Sequence, residues 1–330
     1  MGEGAELCHD RMVWQCSRLL DGGPSQGSQS GMDTSFTNSV EEVAVARRDE
    51  TDWASYSRKH QIRSIELEGY VVLPKLLSES QLESIREELR DLPTKSVDYS
   101  PHQRGYSNVQ WSNSPRSIEL IAHKPMIDFL TDLFGDEMIC TSCAYTVSEP
   151  GHPGIAIHTD AQPYGSKIFG LQASSPVLVR ALYYLDDQTT ECSPFKVIPR
   201  SHLSMHIDGN PYNRYLSHPE ERMVCCQAGS AVVINQNVFH GNYPNHSQRS
   251  RRMLAIAYRP AWAGPIVDVD RDWDPERVNT LPKAIQPFFR SLNTRNIEYD
   301  VPNRPDGMRR EAAGIAPSRW SSRSNEVAQP

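Results

Sequence analysis

No run in this 330-residue chain approaches the roughly 18 consecutive apolar residues of a membrane span, and no basic segment leads into an apolar one at its start. Basic stripes are missing too. The formal charge is −7, and the single basic cluster of note is Arg249, Arg251 and Arg252, which argues against a phosphate backbone as the main partner. Seven cysteines at irregular spacing leave one unpaired and do not form a disulfide framework. Cys140-x-x-Cys143 lacks a second pair to complete a zinc site, and Cys225-Cys226 reads as buried filler. Met1-Gly2 fails the myristoylation pattern because Glu6 stands where Ser or Thr is wanted, and the final Val-Ala-Gln-Pro is neither a peroxisomal nor a prenylation signal. The expectation is a soluble, cytoplasmic protein that binds neither nucleic acid nor membrane and acts on a small molecule. A homodimer stays open.

What is present is an ordinary globular composition, 38% hydrophobic and 23% charged, sufficient for one substantial core. Residues 1–50 carry a Gly/Ser/Gln-rich stretch at 21–31 and are expected to be a disordered extension. Residues 51–300 read as one domain with a β core at about 138–260, and 301–330 as a disordered tail. A short helix is expected within 52–63 and a strand at 69–74, ended by Pro74. Ser78 and Gln81 then form a capping box ahead of an apolar stripe at Leu82, Ile85 and Leu89. Residues 93–116 read as an irregular loop anchored by Tyr106 and Trp111. A helix from Ser117 to Phe134 follows, stopped by Gly135.

After Gly135 come short β-like runs at 138–147, 154–158, 177–185, 195–198, 223–226, 230–234 and 253–258, with one more helix at 275–292. Helices in front and strands behind make an α+β protein with a jelly-roll core.

Within the second run, His158 and Asp160 stand at i and i+2, on one face of an extended strand. They supply two ligands of a 2-His-1-carboxylate triad, which holds Fe(II) and leaves coordination positions open. His240, in the polar loop 236–242, can be the third if the sheet curls. It sits at the mouth of a hairpin whose strands are 229–235 and 252–259. Arg251 starts the returning strand, where a fixed cation can pair with a dicarboxylate. Each of these residues alone is more often ordinary structure: a chance His-x-Asp, a satisfied loop histidine, a solvated charge. His202 and His206 read as loop residues, His152 as part of the 151–154 turn, and His246 as exposed.

Together the parts resemble the phytanoyl-CoA dioxygenase family of Fe(II)/2-oxoglutarate oxygenases, over roughly Leu67 to Ala263. The resemblance rests on Gly69-Tyr-Val-Val-Leu73 with its helix, His158-Thr-Asp160, Leu182-Tyr-Tyr-Leu-Asp-Asp187 and Glu191 to His202. Gly229-Ser230 and His240-Gly241 with Arg251 complete the order. The segment Glu191 to His202 is similar to the family's NGxLxxxPGSH signature, but Cys192 and Ser193 replace Asn-Gly and Arg200 replaces Gly, so that turn is open to a different build.

The resemblance implies a double-stranded β-helix, cupin-like, with flanking N-terminal helices. It also implies Fe(II) on His158, Asp160 and His240, with 2-oxoglutarate and O2 as co-substrates. Arg251 would hold the far carboxylate, although a one-residue register shift would give that task to Arg252. Thr159 and Asn242 are further co-substrate contacts by analogy. The implied reaction is hydroxylation of an unactivated C–H bond with release of succinate and CO2, since halogenating relatives lack the carboxylate at Asp160. Desaturation or rearrangement remains open. Gln162 to Val179, neutral apart from Lys167 and carrying Tyr164, Phe169 and Leu171, reads as a lid for a small, fairly apolar metabolite. The alternatives are a cupin-like metalloenzyme that does not use 2-oxoglutarate and a metal-free jelly-roll binding protein.

Overall fold

A computed structural model describes residues 47–160, 176–203, 217–263 and 273–290. The expected extension before residue 47, most of the lid, His206 and the tail lie outside the described residues. In chain order the elements are β1 (Arg47–Arg48), α1 (Arg58–Leu67), β2 (Tyr70–Leu73), α2 (Glu79–Arg90), β3 (Lys95–Val97) and β4 (Ser100–Ser107). Then come α3 (Pro115–Ile118), α4 (Lys124–Phe134), β5 (Met138–Ser148), β6 (Ile155–His158), β7 (Val179–Tyr184) and β8 (Phe195–Val197). The last are β9 (Arg222–Val224), β10 (Ala231–Asn235), β11 (His240–Asn242), β12 (Arg251–Pro260) and α5 (Pro275–Asn279).

The strands form two sheets, ordered β1-β9-β8-β11-β6 and β2-β10-β7-β12-β5-β4-β3. This is the jelly roll, mixed α+β, that the sequence suggests. Alternation along the large sheet sorts its side chains between two cores. Val71, Leu73, Val179, Ala181, Tyr183, Leu254 and Ile256 pack outward with the helices, among them Leu82, Ile85 and Leu89 of α2. Tyr70, Val72, Leu182, Tyr184, Val232, Ile234 and Ala255 pack inward against Phe195 and Val197 of the small sheet. Each such aliphatic or aromatic side chain contributes about 1.5–3 kcal/mol on burial.

The capping box on α2 forms as expected: Ser78 Oγ accepts from the Gln81 amide and Gln81 Oε1 accepts from the Ser78 amide. Several expectations are corrected. Residues 95–107, read as loop, are the strands β3 and β4, which extend the large sheet beyond β5. The expected helix 117–134 is broken: Pro125 cannot donate to the helical ladder, and His123 turns extended at φ −62° and ψ 109° before α4 begins. The expected helix 275–292 shrinks to α5 and a separate 3-10 turn at Gln286–Phe289, because Pro282 and Pro287 interrupt it. The helix expected within 52–63 starts later and runs to Leu67, capped by Ser57.

The expected hairpin of 229–235 and 252–259 is also absent, since β7 lies between β10 and β12 in the sheet. After β10 the chain crosses to the small sheet, where the predicted polar loop contains a strand, β11, paired with β6 and β8. That crossing sets His240 directly opposite His158. Gly241 permits it, because a Cβ there would collide with the carbonyl oxygens of Ile155 and Ala156. Gly241→Ala is expected to cost about 1–3 kcal/mol of stability through this collision. Urea denaturation checks it, and a wild-type midpoint would show that β11 can shift away from β6 freely.

Candidate metal centre and anion anchor

Cross-strand pairing brings the two imidazoles to a ring-centroid separation of 4.4 Å. Each ring is held in the same way. His158 Nδ1 lies 2.8 Å from the Ala156 carbonyl oxygen and His240 Nδ1 lies 3.0 Å from that of Val238. Carbonyls only accept, so Nδ1 carries the proton in both rings and Nε2 presents its lone pair. Asp160 follows β6 and is tied by its amide to the Gln236 carbonyl at 3.0 Å. Its Oδ1 is 3.8 Å from His158 Nε2, and its Oδ2 is 3.5 Å from His240 Nε2. One donor atom from each of the three residues lies within 4.8 Å of the others, so small side-chain adjustments would bring them to the edges of about 3 Å of an octahedral site with bonds of about 2.1 Å. Among the described residues, no other group of His, Cys, Asp or Glu could hold a metal.

Electrostatics suit that use. Burial raises the Asp160 carboxyl, but Arg180 and the two imidazoles outweigh it and leave the group below its ordinary range. Burial pulls His240 down to about 4, which keeps the ring neutral. A neutral imidazole is the form that binds metal.

The register of β12 separates the two candidate arginines. Arg251 shares the inward face with Met253 and Ala255, whereas Arg252 shares the outward face with Leu254 and Ile256. Arg252 is consumed there: Asp186 accepts from its amide at 2.8 Å, from Nε at 2.9 Å and from Nη2 at 2.6 Å. Arg251 is 0% exposed. Its Nη2 lies 3.4 Å from Ser193 Oγ, its Nη1 lies 3.9 Å from Met253 Sδ, and its Nε has no hydrogen-bond partner. The guanidinium sits 5.8 Å over the Tyr184 ring, and among the described residues no carboxylate lies within ion-pair distance. A buried cation so placed is fitted to an incoming carboxylate.

Asn242 stands two residues after His240 on β11, about 7 Å along the strand. Its Nδ2 donates to the carbonyls of Ser193 and Pro194 at 3.3 and 3.4 Å, so it borders the surroundings of Arg251. Thr159 is buried between His158 and Asp160. His202 is structural, with Nε2 2.8 Å from the Glu66 carbonyl, and His246 is exposed. His152 belongs to its turn but is buried, against Ser148 and Tyr99. Cys140 and Cys143 are buried, whereas Cys225 and Cys226 are only half-buried.

Two features escaped the sequence reading. Arg180 Nε lies 2.7 Å from Asp160 Oδ2, an ion pair by distance whose angle is not that of a hydrogen bond. Its signal was a charge on the inward face of β7, in step with Leu182 and Tyr184. The other is the signature turn. Ser193 and Arg200 take φ of 49° and 67°, so the left-handed conformations suited to the family glycines survive without glycine. Each costs about 1 kcal/mol.

The chain is 24% identical to a methylphosphonate hydroxylase of Gimesia maris over 213 residues, 60% of this chain and 79% of the relative. It is 28% identical to the dioxygenase olcK of Penicillium canescens over 141 residues, 42% of this chain and 45% of the relative. HygX from Streptomyces hygroscopicus, solved with nickel and 2-oxoglutarate, superposes with a TM-score of 0.51 at 19% identity, covering 62% of this chain and 88% of HygX. The 2-oxoglutarate-dependent epimerase SnoN from nogalamycin biosynthesis gives 0.52 at 18% identity, covering 62% and 83%. These two share the fold. Residues 65–253 match the family model described as Phytanoyl-CoA dioxygenase (PhyH), which is more than half of the chain. The chain therefore belongs to the phytanoyl-CoA dioxygenase family of Fe(II)/2-oxoglutarate-dependent oxygenases.

Proposed function

We propose that His158, Asp160 and His240 hold Fe(II), that Arg251 anchors the far carboxylate of 2-oxoglutarate, and that the enzyme hydroxylates an unactivated C–H bond of a small, fairly apolar metabolite. The observation that carries this reading is the pairing of a three-donor cluster with a buried guanidinium that has no counter-ion among the described residues. Iron with 2-oxoglutarate and O2 supplies the oxidation, releasing succinate and CO2.

The protein's own part is orientation. The Ala156 and Val238 carbonyls fix the imidazole tautomers, and Arg180 restrains one oxygen of Asp160. Arg251 contributes a planar fork that matches a carboxylate, remote from the reacting atoms. Asn242, bonded to the wall beside Arg251, and Thr159, between two ligands, are secondary contacts in this reading. Phe195, 5.8 Å from the His240 ring, and its apolar neighbours keep water from the inner side. Retention of Asp160 favours hydroxylation over halogenation, and the neutral composition of 162–179 supports an apolar substrate. The uncompensated cation favours this reading over a cupin-like metalloenzyme without 2-oxoglutarate and over a metal-free binding protein.

Replacement of His158, Asp160 or His240 by alanine is expected to abolish succinate formation coupled to substrate; full activity in His158→Ala would remove the proposal. Arg251→Met should raise the KM for 2-oxoglutarate at least tenfold with a smaller effect on kcat, while Arg252→Met should lower stability and leave that KM alone. The reverse pattern would reassign the anchor. A pH series on the metal-free protein gives a third check. His152 and His240 are both held down to about 4, whereas an unfolded chain protonates them near 6.5. Between those values the unfolded chain binds more protons, so stability should fall as pH drops from about 6.5 to about 4. A thermal midpoint that rises over this window would contradict the buried neutral rings.

A further inference from the structure

Ser193 is an unusual residue on three counts. It is 0% exposed, it adopts φ 49°, and it precedes Pro194, which disfavours the right-handed helical region at this position. Glycine meets that conformation without strain, and the family signature has glycine here. A serine held there calls for a compensating use of its hydroxyl.

The hydroxyl is fully engaged. Ser193 Oγ accepts from Ser148 Oγ at 3.0 Å, donates to the Tyr243 carbonyl at 3.1 Å and lies 3.4 Å from Arg251 Nη2, at the long end of the hydrogen-bond range. Ser148 is the cross-strand partner of Arg251, so both side chains issue from the same inward face. Its Oγ is 2.9 Å from His152 Nδ1, and His152 Nε2 is 3.4 Å from the Tyr99 hydroxyl. One set of protons satisfies the whole chain: Tyr99 donates to His152, His152 through Nδ1–H to Ser148, Ser148 to Ser193, and Ser193 to the Tyr243 carbonyl. Arg251 then donates to the one Ser193 lone pair still open.

Every member of this chain is neutral, and that matters for Arg251. A long flexible side chain must be held in place to act as an anchor, and an ion pair would do so only by competing with the ligand. A hydroxyl with its own proton committed elsewhere restrains one nitrogen and leaves the positive charge uncompensated. Nε and the second N–H of Nη2, which share one edge of the guanidinium, stay open to a carboxylate.

We propose that Ser193 is a positioning residue for the co-substrate: its hydroxyl, fixed by the Tyr99–His152–Ser148 chain, sets the Arg251 guanidinium to receive the far carboxylate and so selects dicarboxylic over monocarboxylic 2-oxo acids. This rests on Arg251 being the anchor. The test is calorimetric titration of the Mn(II)-loaded protein with 2-oxoglutarate and, in parallel, with 2-oxobutyrate, which keeps the chelating end and lacks the far carboxylate. Ser193→Gly relieves the backbone strain and so reports on the hydroxyl without threatening the fold; Ser193→Ala keeps the strain and removes the same hydroxyl. Both variants should bind 2-oxoglutarate about tenfold more weakly and 2-oxobutyrate as wild type does. Arg251→Met serves as the reference and should show a larger loss for 2-oxoglutarate alone. If Arg251→Met weakens 2-oxoglutarate but Ser193→Gly does not, the role of Ser193 is overturned and the anchor stands. If Arg251→Met binds 2-oxoglutarate normally, the anchor itself fails and this inference with it. Equal weakening of both 2-oxo acids in Ser193→Gly would mark a merely structural role and also overturn the proposal.

Discussion

A guanidinium kept in a dry interior with no counter-ion among the described residues is the constraint around which this protein is arranged. Removing a charge from water costs several kcal/mol unless something answers it. At Arg251 the answer is partial: a serine hydroxyl, a methionine sulfur and an aromatic face, with Nε left unpaired. Next door on the same strand, Arg252 has a carboxylate bonded to its amide and two of its side-chain nitrogens. Two adjacent arginines thus have opposite fates, decided by which side of the sheet each faces. The unanswered one is the one that a dianionic ligand would stabilise on arrival.

The metal end obeys the same economy of position. His158 and His240 are far apart in sequence and opposite each other across β6 and β11, and Gly241 allows the backbones to approach closely enough. Both rings spend Nδ1 on a carbonyl two residues earlier, which turns both Nε2 atoms toward Asp160. Asn242, one strand step beyond His240, leans on Ser193, and Ser193 touches Arg251. The three-donor cluster and the Arg251 guanidinium are therefore connected through one wall, formed by β11 and the Ser193 turn.

Much of this was legible in the sequence because the informative patterns are local. The i, i+2 spacing of His158 and Asp160 specifies a shared face, the capping box before Leu82 specifies a helix start, and alternation from Arg251 to Ile256 distinguishes inward from outward residues. His240 stood out as a candidate in its polar loop and the family resemblance gave it a role, but its place on β11 opposite His158 is one that no local pattern encodes. Other features were hidden for physical reasons. Ser100–Ser107 carries few apolar residues because it lies toward the edge of the large sheet, so the strand has no hydrophobic signature. The left-handed turns at Ser193 and Arg200 lack the glycines that would announce them. Arg180 was visible as a charge on an apolar strand face, but its partner Asp160 is twenty residues away and meets it only once the sheets close.

Anaerobic titration of the Fe(II)-loaded protein with 2-oxoglutarate, followed by visible absorption, addresses the central claim most directly, because it requires the three donors and the anchor to act together. The account expects a weak charge-transfer band that saturates at one equivalent of 2-oxoglutarate per chain. Iron binding with no such band at any 2-oxoglutarate concentration would contradict it.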